Sequence, residues 1–157
     1  CSSDLLVGME KKAQELGYTV YNIGAQLYQP SEEVIAKLLE KATQHSVVIG
    51  AGEPSVVIKG ERDIGGRCQY LTACALSMIT DTDTLSSFAS DGIDNLSISA
   101  GAIADTQTKE KAAAHSLSIT ETLEENSIDN FFTTTKDQII TSETGSNVSD
   151  LMILIRK

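Results

Sequence analysis

The chain has 157 residues, 41% of them apolar and only 4% aromatic, and carries a formal charge of −10 from 12 basic and 22 acidic side chains. That length fits one domain of roughly 100–200 residues, with an aliphatic core of Leu, Ile, Val and Ala that needs no disulfide or metal. So acidic a surface repels phosphate backbones and anionic lipid, which argues against a nucleic-acid or membrane-surface module.

Cys1, Cys68 and Cys74 are odd in number and contain no CxxC pair, which reads as a reducing, cytoplasmic setting. No apolar run approaches the roughly 18–20 residues of a membrane span, and no signal peptide is visible. The chain starts at Cys1, almost at once in helical pattern, as a piece of a longer polypeptide would.

In chain order, Leu5, Met9, Ala13 and Leu16 fall at helical spacing, with Ser3 or Asp4 as N-cap and Gly17 as the stop. Tyr18 to Ile23 is rich in β-formers and predicts a strand. Pro30-Ser31-Glu32-Glu33 opens a second helix, with acids in the first turn and Val34, Ile35, Leu38, Leu39 and Ala42 as its apolar face. Ser46 to Ile49 and Val56 to Ile58 predict two short strands separated by a turn over Gly50 to Pro54. A glycine-bearing turn from Gly60 to Arg67 leads into a third helix carrying Leu71, Cys74, Ala75, Met78 and Ile79 on one face, with Cys74 a core thiol.

The second half continues with a strand over Leu85 to Ala89 and a brief one at Ala102 to Ala104. A helix capped by Asp105 to Thr108 runs through Ala114, and Thr120 to Glu125 and Ser127 to Phe132 predict two short helices. Gln138 to Thr141 and Leu151 to Ile155 are strands; the last is apolar on both faces and belongs inside the sheet. The expected fold class is α/β, a single three-layer-like domain with a mixed sheet flanked by helices.

Three turns hold residues that could carry chemistry. Gly65-Gly66-Arg67 sits where a loop becomes a helix, so a ligand's carboxylate or phosphate could meet backbone N–H groups and a guanidinium fork; the same residues suit a plain tight turn. Asp91 and Asp94, three apart on a turn, could share Mg²⁺ or take a proton from a hydroxyl, yet Asp-Gly is also ordinary turn chemistry. Thr141 to Asn147 offers hydroxyls and an amide, as many polar turns do. Neither GxGxxG nor the Walker GK[ST] is present. His45 and His115 lack neighbours that would make a zinc site.

Taken together these pieces resemble one family. Gly50-Ala51-Gly52-Glu53-Pro54-Ser55-Val56 with Gly60, then Gly65-Gly66-Arg67-Cys68-Gln69, is similar to the GGE-T-V…G…GGRNQE run of the MOFRL domain. Ser90-Asp91-Gly92-Ile93-Asp94 followed by Ala100 to Asp105 resembles its GTDGIDG…AGAxxD run. Thr141 to Leu151 is similar to its closing TGPTGTNVNDL. The resemblance covers the whole chain, residues 1–45 as a leading helix-strand-helix and 46–157 as the motif-bearing core.

The resemblance implies the C-terminal domain of class II glycerate kinases, some of which have been labelled hydroxypyruvate reductases. These phosphorylate the 2-hydroxyl of D-glycerate with ATP and Mg²⁺ in a cleft between this domain and an N-terminal Rossmann-like domain that includes a catalytic lysine. Position by position, it implies that Arg67 holds a carboxylate or the transferring phosphate and that Asp91 orients substrate or metal. Gly65, Gly66, Asp94, Thr144 and Asn147 become substrate- or phosphate-binding positions, with Asp91 and Asp94 the candidate metal ligands. The expected partners are that N-terminal domain, a small hydroxy acid and, in a homodimer, a second copy.

Cys68 and Tyr70 stand where the family has Asn and Glu, and Ser142-Glu143 where it has Gly-Pro. A carboxylate at Glu143 would repel a nearby phosphoryl group by on the order of 1 kcal/mol. These departures keep a second expectation open, a non-catalytic binding domain on the same scaffold. An NAD(P)H-dependent hydroxypyruvate reductase is a third, without a dinucleotide fingerprint to support it.

Overall fold

In the computed structural model, residues 1–57 and 65–157 are described. Among them, helix α1 (Ser2–Glu15), strand β1 (Thr19–Asn22), α2 (Ser31–Lys41) and β2 (Ser46–Gly52) come first. They are followed by α3 (Arg67–Ala75), β3 (Asp83–Ala89), β4 (Gly101–Ala104), α4 (Thr106–Ala114), α5 (Ile119–Glu125) and α6 (Ile128–Thr135). Two strands, β5 (Gln138–Ile139) and β6 (Asp150–Arg156), close the chain. The strands make one open sheet in the order β1-β2-β6-β3-β4-β5. Only β1 and β2 run parallel; every other pair is antiparallel. This is the α/β fold with a mixed sheet that the sequence predicts.

The last strand lies at the centre of the sheet, paired along its whole length with β2 and β3. Its side chains alternate between the two layers, which explains why it is apolar on both faces. Met152 and Leu154 join Val48, Leu85, Ala102 and Ala104 beneath the helical layer built from α2 to α6, where Val34, Leu71, Phe131 and Phe132 also pack. Leu151 joins Val47, Ile49 and Ala51 against Leu6 and Ala13 of α1 on the opposite face. The two layers are unequal, because α1 covers β1 and β2 while Ile103 on β4 remains 38% exposed.

Several local expectations shift for identifiable reasons. Helix α1 turns Leu6 and Ala13 inward, while Leu5 and Leu16 face solvent, and its first residue follows Cys1 rather than Ser3 or Asp4. Strand β2 runs on through Gly50-Ala51-Gly52, because β6 continues to pair with it there. Ser55 makes only an isolated bridge with Pro30, Val56 and Val57 belong to no strand, and Ile58 lies outside the described residues. The turn from Gly60 to Ile64 lies outside them as well. Helix α3 ends at Ala75, before Met78 and Ile79, where the Ser77 hydroxyl donates to the Cys74 carbonyl. That side-chain bond competes with the backbone ladder, and the Asp83 carboxylate then accepts from the Thr80 N–H and hydroxyl to turn the chain into β3.

At this end of the sheet Arg156 closes the structure. Its Nε and Nη2 donate to the two oxygens of Asp83 at 2.7 and 3.0 Å, and its Nη1 donates to the Ala42 carbonyl at 2.9 Å. Burial pushes the Asp83 carboxyl up, but the Arg156 guanidinium and the Thr80 donors outweigh it and hold it below the usual carboxylate range.

Leu154 is fully buried at the centre of β6, so Leu154→Ala should lower unfolding stability by about 2–5 kcal/mol. Ile103→Ala, at a partly exposed position, should lower it by less than about 1 kcal/mol. Urea denaturation of both variants measures the contrast.

Candidate functional site

The three motif-bearing turns meet at the opposite end of the sheet from Arg156. Asp150, the first residue of β6, is flanked across the sheet by Gly52 of β2 and Ala89 of β3. Both neighbours are small, so the Asp150 carboxylate has room above the strand ends. The loop after β3 and the loop before β6 are stapled together there. Ser90 Oγ accepts from the N–H groups of Val148 and Ser149 at 2.8 and 3.1 Å. Thr144 donates through Oγ1 to the Ser90 carbonyl at 2.5 Å and through its N–H to the Asp91 carbonyl at 2.9 Å. Gly92 lies against this staple with φ +92°, and a Cβ there would collide with the Ser142 carbonyl.

Asp94 does something the sequence does not announce. Its Oδ1 accepts from the Cys68 N–H at 3.2 Å and its Oδ2 from the Gln69 N–H at 2.8 Å. The first-turn amides of α3, expected to be open to a ligand, are thus engaged by a carboxylate from the loop after β3. The macrodipole favours a negative charge at that point. Gly66 makes the approach possible, since a Cβ on it would run into Asp94 Oδ1. The Asp94 loop is held in turn by Asn95 Nδ2 donating to the Gly65 carbonyl at 3.3 Å and by the Asp94 N–H donating to the Ser99 carbonyl at 2.8 Å.

A buried polar cluster supports this floor from below. Gln69 Nε2 donates to Ser99 Oγ at 2.9 Å and to Asp129 Oδ1 at 3.1 Å. The same carboxylate oxygen accepts from Ser97 Oγ at 2.5 Å and from Gln138 Nε2 at 3.0 Å. The cluster joins α3, the loop after β3, α6 and β5 through one carboxylate.

Arg67 is the first residue of α3, and its guanidinium reaches over the strand ends. Nε donates to Asp150 Oδ2 at 3.0 Å, and Nη2 lies 3.6 Å from Glu53 Oε2. Burial pushes the Asp150 carboxyl up despite the Arg67 hydrogen bond, and the Glu53 charge pushes in the same direction.

Together these residues line a cleft of about 330 Å³. Gly65, Gly66, Arg67, Asp91, Asp94 and Asn147, all named from the sequence, are in its wall. Thr144 is not among the lining residues and acts as the staple. Asp91 lies on the cleft side with Oδ1 accepting from the Ile93 N–H at 3.1 Å. Glu53, Tyr70, Asn126, Ile128 and Asp150 also line the cleft. Of these, Asp150 had a visible signal, a charge immediately before an apolar central strand. Asn126 and Ile128 come from the α5–α6 junction, which no motif marks.

The cleft is acidic. Among the described residues Glu53, Asp91, Asp94 and Asp150 line it with Arg67, the Asp94 carboxylate turned away toward the α3 amides. Among the described residues no group of three or more His, Cys, Asp or Glu side chains is placed to hold a metal ion. Each Asp94 oxygen already accepts one α3 amide. The buried cysteines Cys68 and Cys74 are free thiols, and no helix among the described residues is long and apolar enough to cross a membrane.

Asp94 is only 4% exposed. Burial pushes its carboxyl from 3.8 up to about 6 against the Gln69 and Cys68 amides, and the Asp150 charge adds to the rise. Between those values the folded chain holds a proton that the unfolded chain has released, so this group makes stability fall as pH rises from about 4 to about 6. Asp94→Asn cannot titrate. Its stability relative to the parent chain should therefore improve by about 2 kcal/mol between pH 4 and pH 7. Urea midpoints at the two pH values test this, and a pH-independent difference would contradict it.

The profile of the MOFRL family matches residues 46–150. A glycerate 2-kinase from Picrophilus torridus is 36% identical over 105 residues, covering 65% of this chain and 23% of that protein. A glycerate 2-kinase from Pyrococcus horikoshii is 25% identical over 156 residues, covering 92% and 36%. The solved structure of a glycerate kinase from Thermotoga maritima superposes with a TM-score of 0.90 at 26% identity, over 99% of this chain and 40% of that one. The chain thus spans 23% to 40% of the length of these relatives. With two thirds of its residues under the family profile and its fold shared with a glycerate kinase, the chain belongs to the MOFRL family.

Proposed function

We propose that this chain forms one wall of a glycerate 2-kinase active site, transferring phosphate from ATP to the 2-hydroxyl of D-glycerate. The observation that carries the reading is the convergence of Arg67, Asp91 and Asn147, from three separate motif turns, on one cleft. The relatives named glycerate kinase supply the reaction class. The opposite wall belongs, on this reading, to an N-terminal Rossmann-like domain that brings a catalytic lysine.

Charge supports a second wall of opposite sign. Among the described residues Glu53, Asp91, Asp94 and Asp150 line the cleft against one guanidinium, so a phosphorylated ligand gains from positive charge on the facing wall. ATP and Mg²⁺, when bound, supply the phosphoryl group and neutralise its charge. Mg²⁺ is commonly held by one or two carboxylates together with substrate phosphates. Asp91 fits that pattern as a single carboxylate, whereas Asp94 already serves the α3 amides. Arg67 orients the hydroxy-acid carboxylate or the transferring phosphoryl group by charge-assisted hydrogen bonds. Asp91 directs the attacking hydroxyl and accepts its proton at a carboxylate oxygen. Gly65, Gly66, Asp94, Thr144 and Asn147 shape and hold the turns around them.

Glu143 favours a second reading. It lies with Asp91 and Asn147 along a shallow depression beside the cleft, adding negative charge where a phosphoryl group would pass. A binding domain that kept the scaffold without turnover would tolerate that charge.

A coupled assay of the intact protein with ATP, Mg²⁺ and D-glycerate separates the two readings. The kinase reading expects 2-phosphoglycerate formation, and it expects Arg67→Ala to lower kcat/KM by about 100-fold or more with the fold intact. Unchanged activity in that variant would remove Arg67 from the site.

A further inference from the structure

We propose that Asp150 is a positioning residue that acts through Arg67, presenting one edge of the guanidinium to the ligand by holding the other. This rests on the kinase reading of the cleft. An arginine side chain has two hydrogen-bonding edges, one ending at Nε and one formed by the two terminal nitrogens. Asp150 takes Nε at 3.0 Å. The terminal nitrogens are left for the cleft that Arg67 lines, where a planar carboxylate or a phosphoryl group can be met bidentately.

The two acidic neighbours of Arg67 differ in kind. Asp150 is 6% exposed and fixed in the register of the central strand between Gly52 and Ala89. Its backbone is held on both sides by the sheet, so the longer, half-exposed Arg67 side chain is the more adaptable partner. Glu53 is solvent-exposed and stands 3.6 Å from Nη2, beyond hydrogen-bond range. An incoming anion can displace Glu53 from that edge but cannot displace Asp150 from the other.

The second anchor of Arg67 is its backbone. Asp94 holds the amides of Cys68 and Gln69, immediately after Arg67 in the first turn of α3. Main chain and side chain are therefore held by two different carboxylates, one from the loop after β3 and one from the start of β6. The main-chain anchor restricts where the side chain starts, and Asp150 selects its end point. A misplacement of about 1 Å in such a group can lower turnover on the order of 100-fold.

The test is a mutant cycle in the intact protein, with nitrogen-15-labelled arginine for NMR. Asp150→Ala should lower kcat/KM for D-glycerate about 100-fold, and the double variant Asp150→Ala/Arg67→Ala should be no worse than Arg67→Ala alone. Asp150→Asn keeps an acceptor at the same reach and should recover part of the loss; it also serves if the alanine variant does not fold. The Arg67 Nε–H resonance should be slow to exchange in the parent protein, fast in Asp150→Ala and intermediate in Asp150→Asn. Additive losses, or an Nε–H signal unaffected by the substitutions, would overturn the proposal. Absence of glycerate phosphorylation in the parent protein would instead overturn the kinase reading, and the Nε–H signal would still decide the role of Asp150.

Discussion

The carboxylate of Asp94 on the first-turn amides of α3 organises this end of the molecule. Two segments far apart in sequence meet through it, a helix that precedes β3 and a loop that follows it. The contact fixes the start of α3, and with it the origin of the Arg67 side chain. Through the Asp94 N–H and carbonyl it also shapes the loop to Ser99, which brings Ser97 and Ser99 to the Gln69 and Asp129 cluster. A helix N-terminus is a ready anion site. Here it is filled from within, so an external anion can meet the Arg67 guanidinium but not the engaged Cys68 and Gln69 amides.

Much of the fold was legible because periodicity speaks clearly where one face is buried. The Val34, Ile35 and Leu38 stripe of α2 and the doubly apolar β6 were read correctly for that reason. The failures have a common physical origin. Leu5 and Leu16 fit a helical stripe but face solvent, since the tertiary partner of α1 lies under Leu6 and Ala13. Val56 and Val57 have strand propensity, but among the described residues neither pairs with a strand. Met78 and Ile79 continue the helical spacing of α3, yet local side-chain bonds from Ser77 and Asp83 end the helix first.

The site shows the same division. Glycine-rich turns and Asp-Gly pairs told where the backbone bends, and family order told which bends belong together. Neither could tell that Asp94 points inward at amides while Asp91 stays at the cleft, because three-residue spacing on a turn does not fix direction. Ser90 offered no signal, although its hydroxyl holds the two motif loops together. The pairing of Arg67 with Asp150 spans 83 positions and exists only once the sheet has formed.

The position of β6 carries a consequence for how the molecule comes into being. Residues 150–156 form the central strand, between β2 and β3. Until they are in place, β2 and β3 cannot share a sheet, and each presents an unpaired backbone edge, apolar through Val47, Val48 and Ile49 in β2 and through Leu85 and Phe88 in β3. Such edges recruit other chains, and long-range pairings of this kind form slowly. The folding chain is therefore most exposed to edge-to-edge association in the interval before residues 150–156 insert between β2 and β3.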